Sequence, residues 1–193
     1  MSAEMQIALL GILGTLGGTV LGWVLNNLSQ RGKLNIYVSS WKDKFEYNHM
    51  GYMVSSSCIE QTESYSYRLA LDLYNGSGDT KIMRNVEIVY TKNKEVLYCS
   101  VPKDEATKRI SHPVAFYDDV LPIYIPPKSV IHIELFDGIW EDNGSLDFIW
   151  DTTSVFLRYM NEKNKNVSIL INKENYKDYF IYHKIEEQEK ELY

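Results

Sequence analysis

The pattern of hydrophobic and polar positions divides the chain near residue 32. No residue between positions 5 and 30 carries a charge, and Ile7–Leu25 consists of apolar and small residues with one tryptophan. At about 1.5 Å per residue, a helix of this length covers about 28 Å, close to the thickness of a bilayer hydrocarbon core. We therefore predict one transmembrane helix over Ile7–Leu25, with Trp23, Arg31 and Lys33 as anchors at the membrane interface.

The flanks of this segment favour an uncleaved anchor over a secretory signal peptide. A signal peptide begins with a basic region and ends at a small-residue cleavage site, whereas the segment before the span contains Glu4 and no Lys or Arg. Four basic residues follow the span: Arg31, Lys33, Lys42 and Lys44. Because basic flanks stay on the cytoplasmic side, we expect a single-pass protein of the cell membrane with its N-terminus outside and its soluble domain in the cytoplasm. Cys58 and Cys99 are then expected to be free thiols.

Glycines are concentrated in the predicted span, which holds five of the eleven in the chain. At 100° per residue, four of them lie within roughly 80° of one another and Thr15 extends the same stripe. We predict that this glycine stripe is a helix–helix interface, because flat glycine faces let two helices approach closely in lipid. The stripe consists of Gly11, Gly14, Thr15, Gly18 and Gly22. The alternative is the general enrichment of glycine in membrane helices.

After residue 33 the pattern changes to apolar side chains at every second position, which predicts half-buried β-strands. The clearest runs are Leu34–Val38, Leu69–Leu73, Val86–Tyr90, Ile131–Leu135, Val155–Tyr159 and Val167–Ile171. We expect a further strand at Glu95–Ser100 and one or two irregular edge strands within Val114–Ile125. With no helical pattern between these runs, the sequence predicts a mainly β fold, a two-sheet β-sandwich of immunoglobulin-like architecture; a jelly roll or small barrel is the alternative.

The predicted domain organisation has three parts. Residues 1–32 form the transmembrane anchor with its glycine stripe, residues 33–185 form the β-sandwich domain, and residues 186–193 form a charged tail. Residues 48–65 are interpreted as the longest loop, with room for a short strand, and such loops often carry binding sites. The segment Lys173–Phe180 is predicted to form one or two helical turns with Tyr176, Tyr179 and Phe180 on one side.

Composition narrows the function classes. The net charge of −6, without a basic stripe, argues against binding to nucleic acid, because neutralising phosphates requires clustered Lys and Arg. Fifteen tyrosines are many for 193 residues. We attribute them to the packing of β-strands, which favours aromatic residues, and keep a stacking or sugar-binding surface as the alternative.

The sequence contains no recognisable catalytic, phosphate-binding or metal-binding motif. His132 and Glu134 lie on one face of a predicted strand and are interpreted as a polar pair. Two acidic pairs are interpreted as solvated loops, with a cation or a basic partner as the alternative: Asp118-Asp119 and Glu141-Asp142. The glycosylation sequons at Asn75 and Asn143 would matter only outside a eukaryotic cell. We therefore predict a protein that is not an enzyme, with no catalytic residue, no metal and no cofactor.

These observations favour a single-pass, membrane-anchored β-sandwich interaction module. Its partners are the lipid bilayer and either further copies of itself or another membrane protein, bound through the glycine stripe. The alternative is a membrane-perturbing effector whose soluble domain senses or oligomerises. In layout the chain is similar to the small single-span effectors of bacterial anti-phage and toxin systems, a resemblance that covers the organisation of the chain alone.

Overall fold

A computed structural model of the chain describes residues 2–112, 114–173, 175, 176 and 180. The first element is helix α1, Ala3–Gln30, which extends beyond the predicted span at both ends. It is long enough and apolar enough to cross a membrane. All 28 of its residues are described, and none of them is buried. The hydrophobic surface of α1 is therefore left uncovered by the rest of the described chain.

Twelve β-strands follow among the described residues, together with one short helix and two 3-10 turns. The strands are β1 Leu34–His49, β2 Tyr52–Ser55, β3 Ser64–Asn75, β4 Lys81–Lys92, β5 Glu95–Ser100, β6 Lys103–Asp104, β7 Arg109–Ser111, β8 Val114–Phe116, β9 Ile123–Ile125, β10 Ser129–Trp140, β11 Ser154–Met160 and β12 Asn166–Asn172. Helix α2 is Asp147–Asp151, and the 3-10 turns are Ile59–Gln61 and Glu105–Thr107.

The strands form two antiparallel sheets packed face to face. The first sheet has the order β2-β1-β3-β10-β6, and the second has the order β12-β11-β4-β5. Strand β9 pairs with the first residues of β4, and β7 pairs with β8 as a separate hairpin. This arrangement is the two-sheet, immunoglobulin-like sandwich that the alternating pattern predicts.

Alternate residues of the central strands form the core. Leu69, Leu71 and Leu73 on β3 face Ile88 and Tyr90 on β4, and all five are essentially inaccessible to solvent. The other predicted runs also place their apolar positions on the core side, including the partly buried Val167, Ile169 and Ile171 of β12. The predicted strand at residues 95–100 is confirmed as β5, and the predicted edge strands are β8 and β9.

Strand β1 contains the predicted run Leu34–Val38 and continues beyond it to His49. The continuation does not show in the sequence, because a bulge beside Ser39 shifts the register and breaks the period-2 signal. One expectation was wrong. Residues 48–65 are not one long loop: they include the end of β1, all of β2, a 3-10 turn and the start of β3. Tyr65, at the end of that range, is a core residue with 1% of its surface exposed.

Helix α2 also contradicts the expectation that no helix separates the strands. It connects β10 to β11 and buries Ile149 against the sandwich. Five residues are too few to show a helical period in the sequence. In the predicted turns at residues 173–180, Tyr176 and Phe180 both pack on Phe45, while Tyr179 and the predicted tail 186–193 lie outside the described residues.

The two ends of the sandwich are named here by their position relative to α1. The base is the end that α1 joins, and it comprises residues 31–33, the loops 76–80, 126–128 and 161–165, and Lys81 at the start of β4. The tip is the opposite end, and it comprises the connections 50–51, 56–63, 93–94 and 141–153. Both definitions follow from the antiparallel pairing, in which β1 and β10 start, and β3 and β11 end, at the base.

Candidate functional site

The C-terminal end of α1 packs directly against the β3–β4 loop at the base. The amide of Gly78 donates a hydrogen bond to the carbonyl of Ser29 at 2.9 Å, and the amide of Gly76 donates to the carbonyl of Lys33 at 3.2 Å. A Cβ atom on Gly32 would lie 2.3 Å from the carbonyl carbon of Gly76, so only glycine permits this approach. The helix is therefore held to the sandwich by backbone contacts at this junction.

A buried side-chain network gives the β3–β4 loop its shape. Asn75 and Ser77 are fully buried, and the amide nitrogen Nδ2 of Asn75 donates to the carbonyls of Asp79, Ile125 and Pro126 at 2.7–3.0 Å. Its Oδ1 accepts hydrogen bonds from both the amide and the hydroxyl of Ser77. The loop is therefore rigidly built, and the predicted sequon at Asn75 is inaccessible to a glycosylating enzyme in the folded domain.

The structure keeps the glycine stripe together on one face of α1. At Gly11, Gly14, Gly18 and Gly22, no atom of the described chain apart from the chain neighbours and the adjoining helix backbone lies within 4 Å of the place a Cβ would occupy. The hydroxyl of Thr15 donates to the carbonyl of Gly11 at 2.9 Å, so it needs no partner from lipid. The stripe is thus an open, flat surface, and its role as an interface stays a prediction.

The three predicted anchors lie along the C-terminal part of α1 and its exit. Trp23 is exposed on the helix, and Arg31 is the C-cap residue, whose amide donates to the carbonyl of Leu28. Arg31 and Lys33 line an open cleft of about 710 Å³ between the end of α1 and the base. Lys81 and Lys163 lie on the sandwich side of this cleft. The sequence alone did not predict this cleft, because its two walls are far apart in the chain.

Charge is distributed unequally between the two ends of the sandwich. The base carries six basic residues (Arg31, Lys33, Lys81, Lys128, Lys163 and Lys165) and two acidic ones (Asp79 and Glu162). Among the described residues, the tip and the strand ends beside it carry seven acidic residues (Glu60, Glu63, Glu95, Glu141, Asp142, Asp147 and Asp151) and three basic ones (Lys92, Lys94 and Lys173). A chain with a net charge of −6 therefore presents a basic surface where α1 leaves the domain.

One ion pair is built into the base. Lys81 Nζ lies 2.8 Å from Glu162 Oε1, and the lysine side chain is largely buried. Burial by itself raises the pKa of Glu162, but the hydrogen bond and positive charge of Lys81 outweigh it and lower that pKa overall. Among the described residues, no carboxylate lies within ion-pair distance of Arg31, Lys33 or Lys163.

His132 and Glu134 share an exposed face of the first sheet, as predicted. His132 Nδ1 lies 2.7 Å from Asp72 Oδ1, and this hydrogen bond raises the pKa of His132. The hydroxyl of Ser39 donates to the other oxygen of the same carboxylate. Because Asp72 stands between Ser39 and His132, the imidazole cannot take the serine proton as in a catalytic triad. The row is a hydrogen-bonded polar patch on three neighbouring strands.

The acidic pairs have local partners. Asp118 pairs with Arg109, and Asp119 pairs with Lys103 at 2.9 Å. The carboxylate of Glu141 accepts hydrogen bonds from the amides of Gly144 and Leu146, and so shapes the turn before α2. Within the described part of the chain, no group of three or more His, Cys, Asp or Glu residues is arranged to hold a metal ion.

The tyrosines divide between the core and the surface. Tyr65, Tyr90 and Tyr176 are buried around the carboxylate of Asp43, which accepts hydrogen bonds from Tyr65 at 2.6 Å and Tyr176 at 3.2 Å. Burial raises the pKa of all three phenols. The packing explanation therefore holds for this group. Exposed tyrosines are spread over four strands, at Tyr37, Tyr52, Tyr74 and Tyr124.

Comparison with known proteins places the sandwich in a family. The model of the YopI Ig-like domain family matches residues 32–172, which is most of the chain and nearly all of the described sandwich. The chain belongs to the YopI Ig-like domain family. The chain is also similar to the SPbeta prophage-derived uncharacterized protein YopI of Bacillus subtilis (strain 168), with 26% identity over 131 residues, or 65% of this chain and 72% of that protein.

Two solved structures align with most of this YopI-family chain at low similarity. The crystal structure of the protein described as ApaA from Bordetella pertussis covers 74% of the chain and 91% of its own, with 10% identity and a TM-score of 0.34. The apo PmoF2 PCuAC domain covers 72% and 93%, with 14% identity and a TM-score of 0.28. Scores this low carry no argument about function.

Proposed function

We propose that this YopI-family chain is a single-pass membrane protein that presents its Ig-like domain in the cytoplasm and self-associates, or pairs with a membrane partner, through the glycine stripe of α1. The observation that carries the proposal is the open face at Gly11, Gly14, Gly18 and Gly22 on a helix with no buried residue. An apolar helix left uncovered by its own domain is stable in lipid, and a glycine face there favours close helix packing.

The junction at the base gives such pairing a structural consequence. Gly32 and Gly78 hold the helix end against the β3–β4 loop by backbone contacts. When two helices associate through the glycine stripe, their sandwiches therefore approach in a restricted orientation. The packing of the two helices in the membrane then determines the distance between the two Ig-like domains, and each domain acts as an interaction module.

The basic base supports a cytoplasmic domain. Positively charged residues next to a transmembrane helix remain on the cytoplasmic side, where the leaflet is rich in anionic lipid. The six basic residues of the base lie at the end of the sandwich that α1 joins, whereas the acidic tip is at the far end. Cys58 and Cys99, both free thiols, are compatible with a reducing compartment.

Self-association is tested by measuring the oligomeric state of the full chain in nanodiscs. Gly18→Leu and the double variant Gly14→Leu/Gly18→Leu place bulk on the stripe, while Gly17→Leu makes the same change away from it. We expect the stripe variants to weaken the oligomer by on the order of tenfold or more, and Gly17→Leu to leave it unchanged. A monomeric native chain, or equal loss in all variants, contradicts the proposed interface.

Orientation is tested by labelling cysteines with a membrane-impermeant maleimide. Cys99 is exposed on β5, so in a Cys58→Ser background it reports the location of the domain. We expect Cys99 to react only after the membrane is permeabilised. In a cysteine-free background, a Ser2→Cys substitution is expected to react in intact cells. The reverse pattern contradicts the proposed topology.

A membrane-perturbing effector is the second candidate. It is supported by the same open glycine face and by the prophage origin of the Bacillus subtilis relative. An effector should depolarise the membrane when the chain is expressed, and Gly18→Leu should abolish this effect while Gly17→Leu should not. Unchanged membrane potential at high expression favours the interaction module.

A further inference from the structure

We propose that the cleft between the end of α1 and the base binds the phosphate of an anionic phospholipid headgroup. This inference rests on the proposed membrane anchorage and adds a ligand site to it. The cleft is open, about 710 Å³ in volume, and lined on one side by Asn27, Arg31 and Lys33. Asn161 and Lys163 line the opposite side, on the β11–β12 turn. A phosphate between these walls meets donors from two distant parts of the chain.

The charges in the cleft are unbalanced in favour of an anion. Glu162 is engaged by Lys81, so the one carboxylate lining the cleft is already neutralised. Among the described residues, no carboxylate lies within ion-pair distance of Arg31, Lys33 or Lys163, although Lys163 interacts with Glu162 at longer range, and all three are exposed. Guanidinium and ammonium groups beside amide donors are the set that holds a phosphate through charge-assisted hydrogen bonds.

The turn that carries Lys163 has a defined shape. Asn161 Oδ1 accepts hydrogen bonds from the amides of Lys163 at 2.9 Å and Lys165 at 3.0 Å. Arg84 donates to the carbonyl of Asn161 at 3.1 Å, which fixes the same turn to β4. The backbone below Lys163 is therefore held in place, and only the lysine side chain has to order when an anion binds.

The end of α1 does not repel an anion from this cleft. A helix C-terminus carries partial negative charge on its unpaired carbonyls. Here the carbonyl of Ser29 accepts from Gly78, and the carbonyl of Leu28 accepts from the amide of Arg31. The positive side chain of Arg31 then adds a full charge at the same end. The partial negative charge at the C-terminus of α1 is thus compensated on the side that faces the base.

The position of the cleft selects a lipid over free phosphate. Trp23 marks the interfacial end of the apolar segment, and the cleft begins at Asn27, one helical turn later. Phospholipid phosphates lie at this depth, just outside the hydrocarbon core. A headgroup is supplied there at high local concentration and in a fixed orientation, while a free ion has to be captured from solution.

Native mass spectrometry of the full chain, released from detergent, tests the proposal. Phosphatidylglycerol and phosphatidylcholine with identical acyl chains are the two probes. We expect retention of phosphatidylglycerol about tenfold or more in excess over phosphatidylcholine. Each lysine near an anionic headgroup contributes about fivefold to binding, so Lys33→Gln/Lys163→Gln should lose most of this preference. The control Lys92→Gln/Lys94→Gln removes the same charge from the tip and should retain it.

Several results would overturn the lipid site. Equal retention of the two lipids, or equal loss in the base and tip variants, removes the evidence for a specific cleft. Lys33→Arg/Lys163→Arg preserves the charge, so loss of binding in this folded variant contradicts an electrostatic site. Displacement of phosphatidylglycerol by millimolar inorganic phosphate means that the cleft takes the free ion, which overturns the assignment to lipid.

Flotation with phosphatidylcholine liposomes separates this proposal from the one on which it rests. Anchorage through α1 does not depend on headgroup charge, so the native chain and the Lys33→Gln/Lys163→Gln variant should both float. Loss of lipid preference with flotation retained overturns the lipid site alone. Failure of the native chain to float overturns membrane anchorage itself.

Discussion

Helix α1 and strand β3 contain similar hydrophobic side chains in opposite surroundings. The leucines of α1 are about half exposed or more, whereas Leu69, Leu71 and Leu73 of β3 are at most 1% exposed. The difference follows from pattern: α1 is apolar on all sides, while β3 alternates apolar and polar positions. The apolar surface of α1 is compatible with contact to lipid on all sides, whereas the apolar face of β3 stabilises the core of the sandwich. The comparison predicts that equivalent substitutions have unequal effects.

The largest effect is expected from truncation of the core. Leu71→Ala removes a fully buried side chain from β3 and should lower the free energy of unfolding of the domain by about 2–5 kcal/mol. Leu16→Ala in α1 should change it by less than about 0.5 kcal/mol, because that side chain contacts no core. Urea unfolding in detergent, followed by tyrosine and tryptophan fluorescence, measures both. Equal destabilisation would mean that α1 packs on the domain.

The second-largest loss of stability is expected from a substitution in the buried hydrogen-bond network at the base. Asn75→Ala removes the three hydrogen bonds that Nδ2 donates to backbone carbonyls and the two that Oδ1 accepts from Ser77, which should cost about 1–3 kcal/mol of unfolding free energy. Asn35→Ala, on the exposed face of neighbouring β1, is the matched control and should have little effect. If the two variants unfold alike, the β3–β4 loop does not depend on its side-chain hydrogen bonds.

A substitution at the junction between α1 and the sandwich should change the structure at the junction and leave the core of the domain intact. Gly32→Ala forces a methyl group against the backbone of Gly76, so the helix end and the β3–β4 loop have to separate. We expect faster hydrogen exchange at the amide of Gly78, which is bonded to Ser29, with the core protected as before. Gly17→Ala, which meets no described atom, is the control. Unchanged exchange at Gly78 would show that the junction tolerates the added methyl.

The smallest effect concerns the polar patch on the outer face of the first sheet. The hydrogen bond from His132 to Asp72 raises the pKa of His132. The charged pair is therefore fully formed below the ordinary pKa of histidine, as long as Asp72 stays ionised, and it is lost as pH rises through the folded-state pKa of His132. Asp72→Asn should lower the pKa of His132 toward its ordinary value, measured by an NMR titration. The exposed position limits the effect on stability. A pKa that does not move would leave Glu134 as the partner that sets it.

Local patterns determined most of the secondary structure. Burial in a sandwich requires alternation within a few consecutive residues, so β3, β4, β11 and β12 could be predicted from short segments. The apolar helix could be predicted because length and the absence of charge suffice. Strand β1 was predicted only in part, since a bulge moves its side chains to the other face after Val38. The position of the glycine stripe on one face of α1 could be predicted from helical geometry alone.

Tertiary structure decided what lies at each end of the sandwich. Gly32 and Asn75 look like ordinary loop residues in the sequence, and their roles come from contacts with Gly76 and with Ile125–Pro126. The basic base and acidic tip arise because antiparallel pairing brings distant loops together. A sequence pattern reports the faces of single elements, whereas a junction, a cleft or a charged surface depends on which elements meet. In this protein, local sequence patterns determined the apolar helix and the β-strands, whereas the cleft between the helix end and the sandwich was determined by the tertiary fold.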